Sequence, residues 1–195
     1  MKKSYSFLLC AGLAFFAAAS IASAVVKLPS ILGSHMVLQQ GVPVPVWGWA
    51  DAGEKVDVTF HGNTVSTKAD KEGKWQVNLP ACKANAKGTD LVVKGSNEIK
   101  LTDVLVGEVW LCSGQSNMEW TVSRSANAKE EIANAKHPLI RHVKVPHRPS
   151  DKPENDVQTS GWQICSPSTA ANFTAVGYYF GRHLQQELKV PIGLI

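Results

Sequence analysis

Val109-Trp110-Leu111-Cys112-Ser113-Gly114-Gln115-Ser116-Asn117-Met118-Glu119-Trp120 is the stretch at which this chain changes character. Residues 109–112 are apolar without alternation, as expected of a strand buried on both faces of a sheet. Small and polar residues follow at once and set Ser116 on a turn after that strand. A serine is usable as a nucleophile in such a place, beside free backbone N–H groups at the end of a rigid element. The same position also suits a serine that caps the next helix.

Upstream of this run the pattern has a period of two. Residues 42–49, 56–60, 64–69, 74–79, 91–93 and 99–105 read as short strands. Turn signals separate them, among them Asp51-Ala52-Gly53, His61-Gly62-Asn63, Asp70-Lys71-Glu72-Gly73 and Gly95-Ser96-Asn97. Strands at this spacing predict an all-β sandwich over residues 25–103. Pro43 and Pro45 suit an edge strand. Trp47, Phe60 and Trp75 read as core, because aromatic residues at strand spacing mostly bury. Alternation still allows Trp47, Trp49 or Trp75 to face outward and stack on a sugar.

Downstream the pattern is strand, helix, strand, helix, strand, the mark of an α/β layer architecture. A helix is expected over 125–136, ended by Pro138, then a strand over 140–145. Residues 147–159 are polar, hold Pro149 and Pro153, and read as a surface loop. A short strand is expected over 162–164. Phe173, Val176, Phe180, Leu184 and Leu188 recur every three or four residues and predict an amphipathic helix with that apolar face. Residues 190–195 then open another buried strand, which leads us to expect a domain continuing beyond this sequence.

The first 24 residues stand apart. Lys2 and Lys3 precede an almost wholly apolar stretch, and Ala22-Ser23-Ala24 fits a cleavage site, so residues 1–24 read as a secretory signal peptide. Its removal takes two lysines and no acids, lowering the net charge from +4 to +2. That charge argues for neither nucleic acid nor an anionic membrane as partner. No later stretch is long and apolar enough to span a bilayer. The remaining cysteines, Cys82, Cys112 and Cys165, are too few for a disulfide framework, although one bridge is possible in an oxidising compartment. No Cys-x-x-Cys or His-Glu-x-x-His spacing points to a metal. Asn172-Phe173-Thr174 is a glycosylation sequon.

Val106-Gly107-Glu108-Val109-Trp110 followed by Cys112-Ser113-Gly114-Gln115-Ser116-Asn117-Met118 resembles the sialate O-acetylesterase and carbohydrate acetylesterase group of the SGNH (GDSL-like) hydrolases. Leu38-Gln39-Gln40 with Val44-Pro45-Val46-Trp47-Gly48, Gly73-Lys74-Trp75, residues 173–182 and residues 190–195 extend the resemblance over nearly the whole chain after residue 24. It implies a β-sandwich (jelly-roll or Ig-like) accessory domain at 25–103. Residues 104–195 would be the start of an α/β/α three-layer hydrolase domain, incomplete here. It also implies roles. Ser116 matches the nucleophile and, through its own N–H, one oxyanion donor. Gly114 and Gln115 match the turn that exposes it. Asn117 would fix that turn through side-chain hydrogen bonds. The family's further oxyanion donors, a glycine and an asparagine, and its Asp-x-x-His base have no counterpart in these residues. His35, His61, His137, His142, His147 and His183 each read as solvated or packing, since none follows an aspartate that would orient it. Cys112 reads as a small buried residue.

The expectation is a secreted or periplasmic serine esterase acting on an O-acetylated carbohydrate, with no cofactor and no nucleic-acid partner. The rival expectation is a catalytically incomplete unit that serves as a carbohydrate-binding or scaffold module.

Overall fold

A computed structural model describes residues 25–195; the expected signal peptide lies outside them. In chain order the elements are β1 Val37–Gln39, β2 Val44–Trp49, β3 Lys55–Phe60, β4 Asn63–Lys68, β5 Lys74–Leu79, β6 Asn85–Lys94 and β7 Glu98–Trp110. After them come α1 Ser116–Glu119, α2 Ala128–Asn134, β8 His137–His142, β9 Gln163–Cys165, α3 Ala175–Leu188 and β10 Ile192–Leu194. Among the described residues no helix is long and apolar enough to cross a membrane.

The first six strands follow local rules. His61 and Gly62 take φ of 48° and 76°, the double positive φ of a tight two-residue hairpin, and β3 and β4 pair on either side of it. β3 alternates as the pleat demands, with Val56, Val58 and Phe60 buried. β2 and β5 form a separate antiparallel ribbon with Val46 opposite Val77 and Gly48 opposite Trp75. Its inner face packs on the larger sheet, so Val46, Trp75, Val77 and Leu79 share a core with Val58, Leu91, Val93 and Val104. Trp75 is core, as alternation predicts. Trp47 and Trp49 are half-buried on the ribbon's outer face, so Trp47 is not the core residue expected.

The larger sheet has the order β4-β3-β6-β7-β10-β8-β9, with β1 also against β7. Residues 103 and 104, where the sequence pattern changes, are neighbours inside β7. This strand pairs antiparallel with β6 in its first part, then parallel with β1 and β10. A bulge at the change puts Thr102 and Asp103 opposite a single residue of β6, and Asp103 takes φ of 55°. The bulge turns Asp103 toward β8. There the buried Arg141 donates from Nη1 to Asp103 Oδ2 (2.8 Å) and to the His35 carbonyl (3.2 Å), and from Nε to the Pro138 carbonyl (2.9 Å). His35 Nδ1 lies 2.8 Å from the same carboxylate oxygen. Burial pushes the Asp103 carboxyl up, but the hydrogen bonds from Arg141 and His35 outweigh it and hold it below the usual range.

Two sequence expectations are corrected in the parallel part. The fully buried stretch of β7 is 104–107; by Trp110 and Leu111 exposure has risen to 43% and 74%. β6 and β1 pair with the earlier residues, whereas only β10 pairs with 108–110. Helix α3 forms over the expected residues but turns a different face inward. Ala175, Gly177, Tyr178 and Gly181 are its buried residues, while Val176 and Phe180 are 47% and 40% exposed. Glycine decides this. A Cβ on Gly181 would stand 3.1 Å from Leu194 Cδ1, and one on Gly177 would stand 2.9 Å from Cys112 Sγ. The helix approaches the sheet on its bare side. Helix α2 is shorter than expected and buries none of its residues.

Candidate active site

Strand β7 delivers the site. Its last residues are held on one edge by β10, where Ile195 N donates to the Trp110 carbonyl (2.9 Å) and Cys112 N to the Ile195 carbonyl (2.6 Å). The other edge is held by two side chains. Gln39 Oε1 accepts from Val109 N (2.8 Å), and the Gln39 and Gln40 amides donate to the Glu108 carboxylate (3.3 and 2.7 Å). Sequence reasoning quoted this Gln-Gln pair without a role. Its signal is a pair of long amides at the end of β1, which pairs directly with the strand that carries the acid, six residues before Gly114.

The chain leaves the sheet after Trp110 and enters α1 with Ser116 as its first helical residue and Gln115 as its N-cap. As an initial helical residue Ser116 has a backbone N–H with no intrahelical acceptor. Its side chain is exposed and has no hydrogen-bond partner among the described residues. The turn is tied by Met118 N donating to the Gln115 carbonyl (2.8 Å) and Trp120 N to the Asn117 carbonyl (3.3 Å). These bonds are backbone bonds; among the described residues no Asn117 side-chain bond reaches the turn. Opposite, Ala175 N donates to the Trp120 carbonyl (2.7 Å), and Thr174 Oγ1 lies 3.6 Å from Met118 Sδ while capping α3.

Ser113, Gly114 and Gln115 form one wall of a cleft of about 240 Å³. Its other walls come from His142 to Val145 after β8, from Asn172 and Thr174 before α3, and from Ile195. The cleft thus lies at the C-terminal ends of three parallel strands, where open α/β sheets place their ligands. Ser116 is the next residue beyond the wall, at the mouth. The structure brings Gly114 and Gln115 to the cleft and leaves Ser116 and Asn117 exposed beside it.

Two histidines reach this cleft. His142 is 7% exposed and stacks on Phe173 with ring centroids 4.0 Å apart. Burial, with the Lys144 charge adding to it, pushes its pKa down to about 4. It is a neutral wall at pH 7. His147 Nε2 stands 3.5 Å from Glu119 Oε1 at the exposed rim. Neither is hydrogen-bonded to Ser116. Cys112 is half-buried against Gly177, and burial raises its thiol pKa, which suits packing rather than nucleophilic work. Cys82, Cys112 and Cys165 are all free thiols, and burial pushes Cys165 up to about 12. Among the described residues no group of three or more His, Cys, Asp and Glu side chains could hold a metal ion.

No protein-family model matches the chain. Curated relatives do. Sialate O-acetylesterases of Pongo abelii and Homo sapiens are each 32% identical to it over 190 residues, which is 87% of this chain and 36% of theirs. A crystal structure of a carbohydrate acetylesterase from Xanthomonas citri superposes with a TM-score of 0.84 at 39% identity, over 87% of this chain and 39% of that one.

Over the part of their length that it spans, the chain is similar to sialate and carbohydrate acetylesterases.

It spans little more than a third of the length of the family members it matches. The likeness extends over 87% of the chain, so it rests on the fold and not on the serine motif alone.

Proposed function

We propose that this chain carries the nucleophile of an exported carbohydrate O-acetylesterase of the SGNH type. The observation that supports it is the placement of Ser116: first residue of α1, at the mouth of a cleft at the strand ends, its hydroxyl free and its N–H unpaired within the helix. The relatives are named for sialate or carbohydrate acetyl esters, which supports a sialic acid or an acetylated polysaccharide as substrate. Ser116 Oγ attacks the acetyl carbonyl, and the Ser116 N–H donates to the oxygen that becomes negative. The sugar hydroxyl leaves, an acetyl-enzyme remains, and water hydrolyses it to acetate and free serine. No metal or organic cofactor is called on.

The step needs a base to take the serine proton and return it to the leaving sugar oxygen. The resemblance assigns that work to an Asp-x-x-His element, which these 195 residues do not contain. The polypeptide of 195 residues alone is therefore expected to show negligible turnover. The test is hydrolysis of p-nitrophenyl acetate, acetylated xylan and O-acetylated sialic acid by the protein expressed from its native reading frame and by Ser116→Ala. A loss of ~10³-fold or more is expected for the variant. Equal turnover in both would remove Ser116 from the mechanism, and full turnover by the 195 residues alone would require one of the six histidines to act as base.

A further inference from the structure

The outer face of the β2–β5 ribbon carries a second concavity, away from the Ser116 cleft. It is a groove of about 460 Å³. Trp47 and Trp49 line it from alternate positions of β2, so both rings lie on the side opposite the buried Val46 and Gly48. Across the ribbon their register partners are Gln76 and Lys74, which line it too. Asp70, in the turn before β5, and Glu154 and Asn155, from the long polar loop, complete the wall.

That loop is held in place. Ser30 N and Oγ donate to Asp156 at 2.9 and 3.0 Å, and Thr159 Oγ1 donates to the Ser30 carbonyl at 3.1 Å. Trp162 Nε1 donates to the Ile31 carbonyl at 2.8 Å. Glu154 Oε1 lies 2.9 Å from Ser150 Oγ, whose single proton it shares with the Lys152 carbonyl at 2.7 Å. Asp70 Oδ1 is occupied by the backbone N–H groups of Glu72 and Lys74 (3.0 and 2.8 Å), which orients the carboxylate and leaves Oδ2 without a partner among the described residues. The side chains of Lys74, Gln76 and Asn155 make no hydrogen bond among the described residues.

We infer that this groove is a binding site for a neutral polysaccharide chain, separate from the esterase cleft. Two half-buried tryptophans, about 7 Å apart along the strand, offer apolar faces at a spacing comparable to one sugar unit. The C–H faces of pyranose rings stack on such surfaces, while amide, ammonium and carboxylate groups around them take the hydroxyls. Charge selects the class of sugar. Two carboxylates, Asp70 and Glu154, stand against one ammonium, Lys74, so an acidic sugar would be repelled and a neutral one would not. The site stands whether or not Ser116 is a nucleophile.

The test is affinity gel electrophoresis of the Ser116→Ala protein in gels holding soluble deacetylated xylan, glucomannan or polysialic acid. Retardation by at least one neutral polymer and none by polysialic acid is expected. The W47A/W49A double variant should bind at least 10-fold more weakly, and Q76A/E154A several-fold more weakly. Both sets should keep the parent circular-dichroism spectrum; if the tryptophan variant does not fold, the exposed Gln76 and Glu154 pair decides. No retardation of the parent by either neutral polymer overturns the proposal. So does undiminished binding by the folded variants, or stronger binding of polysialic acid. Because Ser116 is already replaced, these outcomes are independent of whether the esterase assay succeeds.

Discussion

The antiparallel layer and the parallel layer of this protein bury their residues by different rules. In β3 and β5 every second residue is buried, and the apolar letters mark them correctly. In α3 the apolar letters point the wrong way. Three residues of the expected stripe, Val176, Phe180 and Leu188, face solvent, and two glycines face the sheet. The pleat has a period of two that only a bulge interrupts, so in a regular strand with one covered face a single buried residue defines that face. A helix has several possible stripes, and the one that packs is the one that lets the backbones approach closely enough to bury the sheet. Here close approach outweighs side-chain hydrophobicity. Phe180 meets Trp110 edge to face at 5.0 Å instead, forming an apolar pair on the surface beside the strand that carries the candidate site.

The largest expected effect comes from a glycine in the parallel layer. A Cβ on Gly107 would stand 2.0 Å from the Pro191 carbonyl oxygen, backbone against backbone, with no flexible side chain to yield. Gly107→Ala should destabilise by about 3 kcal/mol or more and separate β7 from β10. A urea midpoint equal to the parent's would show that the close approach is not what joins these strands. Next is a residue that alternation placed correctly. Leu91, fully buried in the antiparallel layer, should cost about 3 kcal/mol on truncation to alanine.

The third effect is a pH dependence in the parallel layer. His142 has a folded pKa near 4 against an unfolded value near 6.5, so between these the unfolded chain binds more protons. Stability is then full above pH 6.5 and falls by about 2–3 kcal/mol as pH drops toward 4. Below that, the depressed carboxylates of Asp103 and Glu131 begin to lose their contribution as they protonate. His142→Gln should remove much of the slope between pH 7 and 4.5 in urea titrations; an unchanged slope would place the titrating group elsewhere. The smallest effect sharpens the contrast most. Phe180→Ala should cost below about 1 kcal/mol despite its place in the apolar repeat. A cost like that of Leu91→Ala would mean α3 does use the stripe its sequence shows.

How much was legible follows from the same difference. Most strands of the first hundred residues and the hairpin at His61-Gly62 were readable, because alternation and positive-φ turns are local, but β1 and the first half of β6 were not. The run carrying Ser116 was readable as a motif that follows a strand, and the structure makes Ser116 the first residue of the helix after it. Other features were not readable. One strand, β7, serves both the antiparallel and the parallel neighbours, and a bulge at Asp103 reaches Arg141 between them. Gln39 and Gln40 bind the edge of the strand that delivers Ser116, a contact across about seventy residues. His142 packs on Phe173, one of the two roles expected for it, but its place in the cleft wall was not readable.

The sequence by itself determined where most strands and helices form, which residues share a face, and that Ser116 follows a strand in a motif resembling that of acetylesterases. These follow from dihedral preference, periodicity and a specific motif. Only the tertiary structure decided which face is covered, how β7 joins two kinds of sheet, and that Trp47 and Trp49 share a groove with Glu154 and Asn155. Covering a face requires a partner, and the partner comes from a distant part of the chain whose approach is set by volume, glycine and hydrogen bonding rather than by any local pattern.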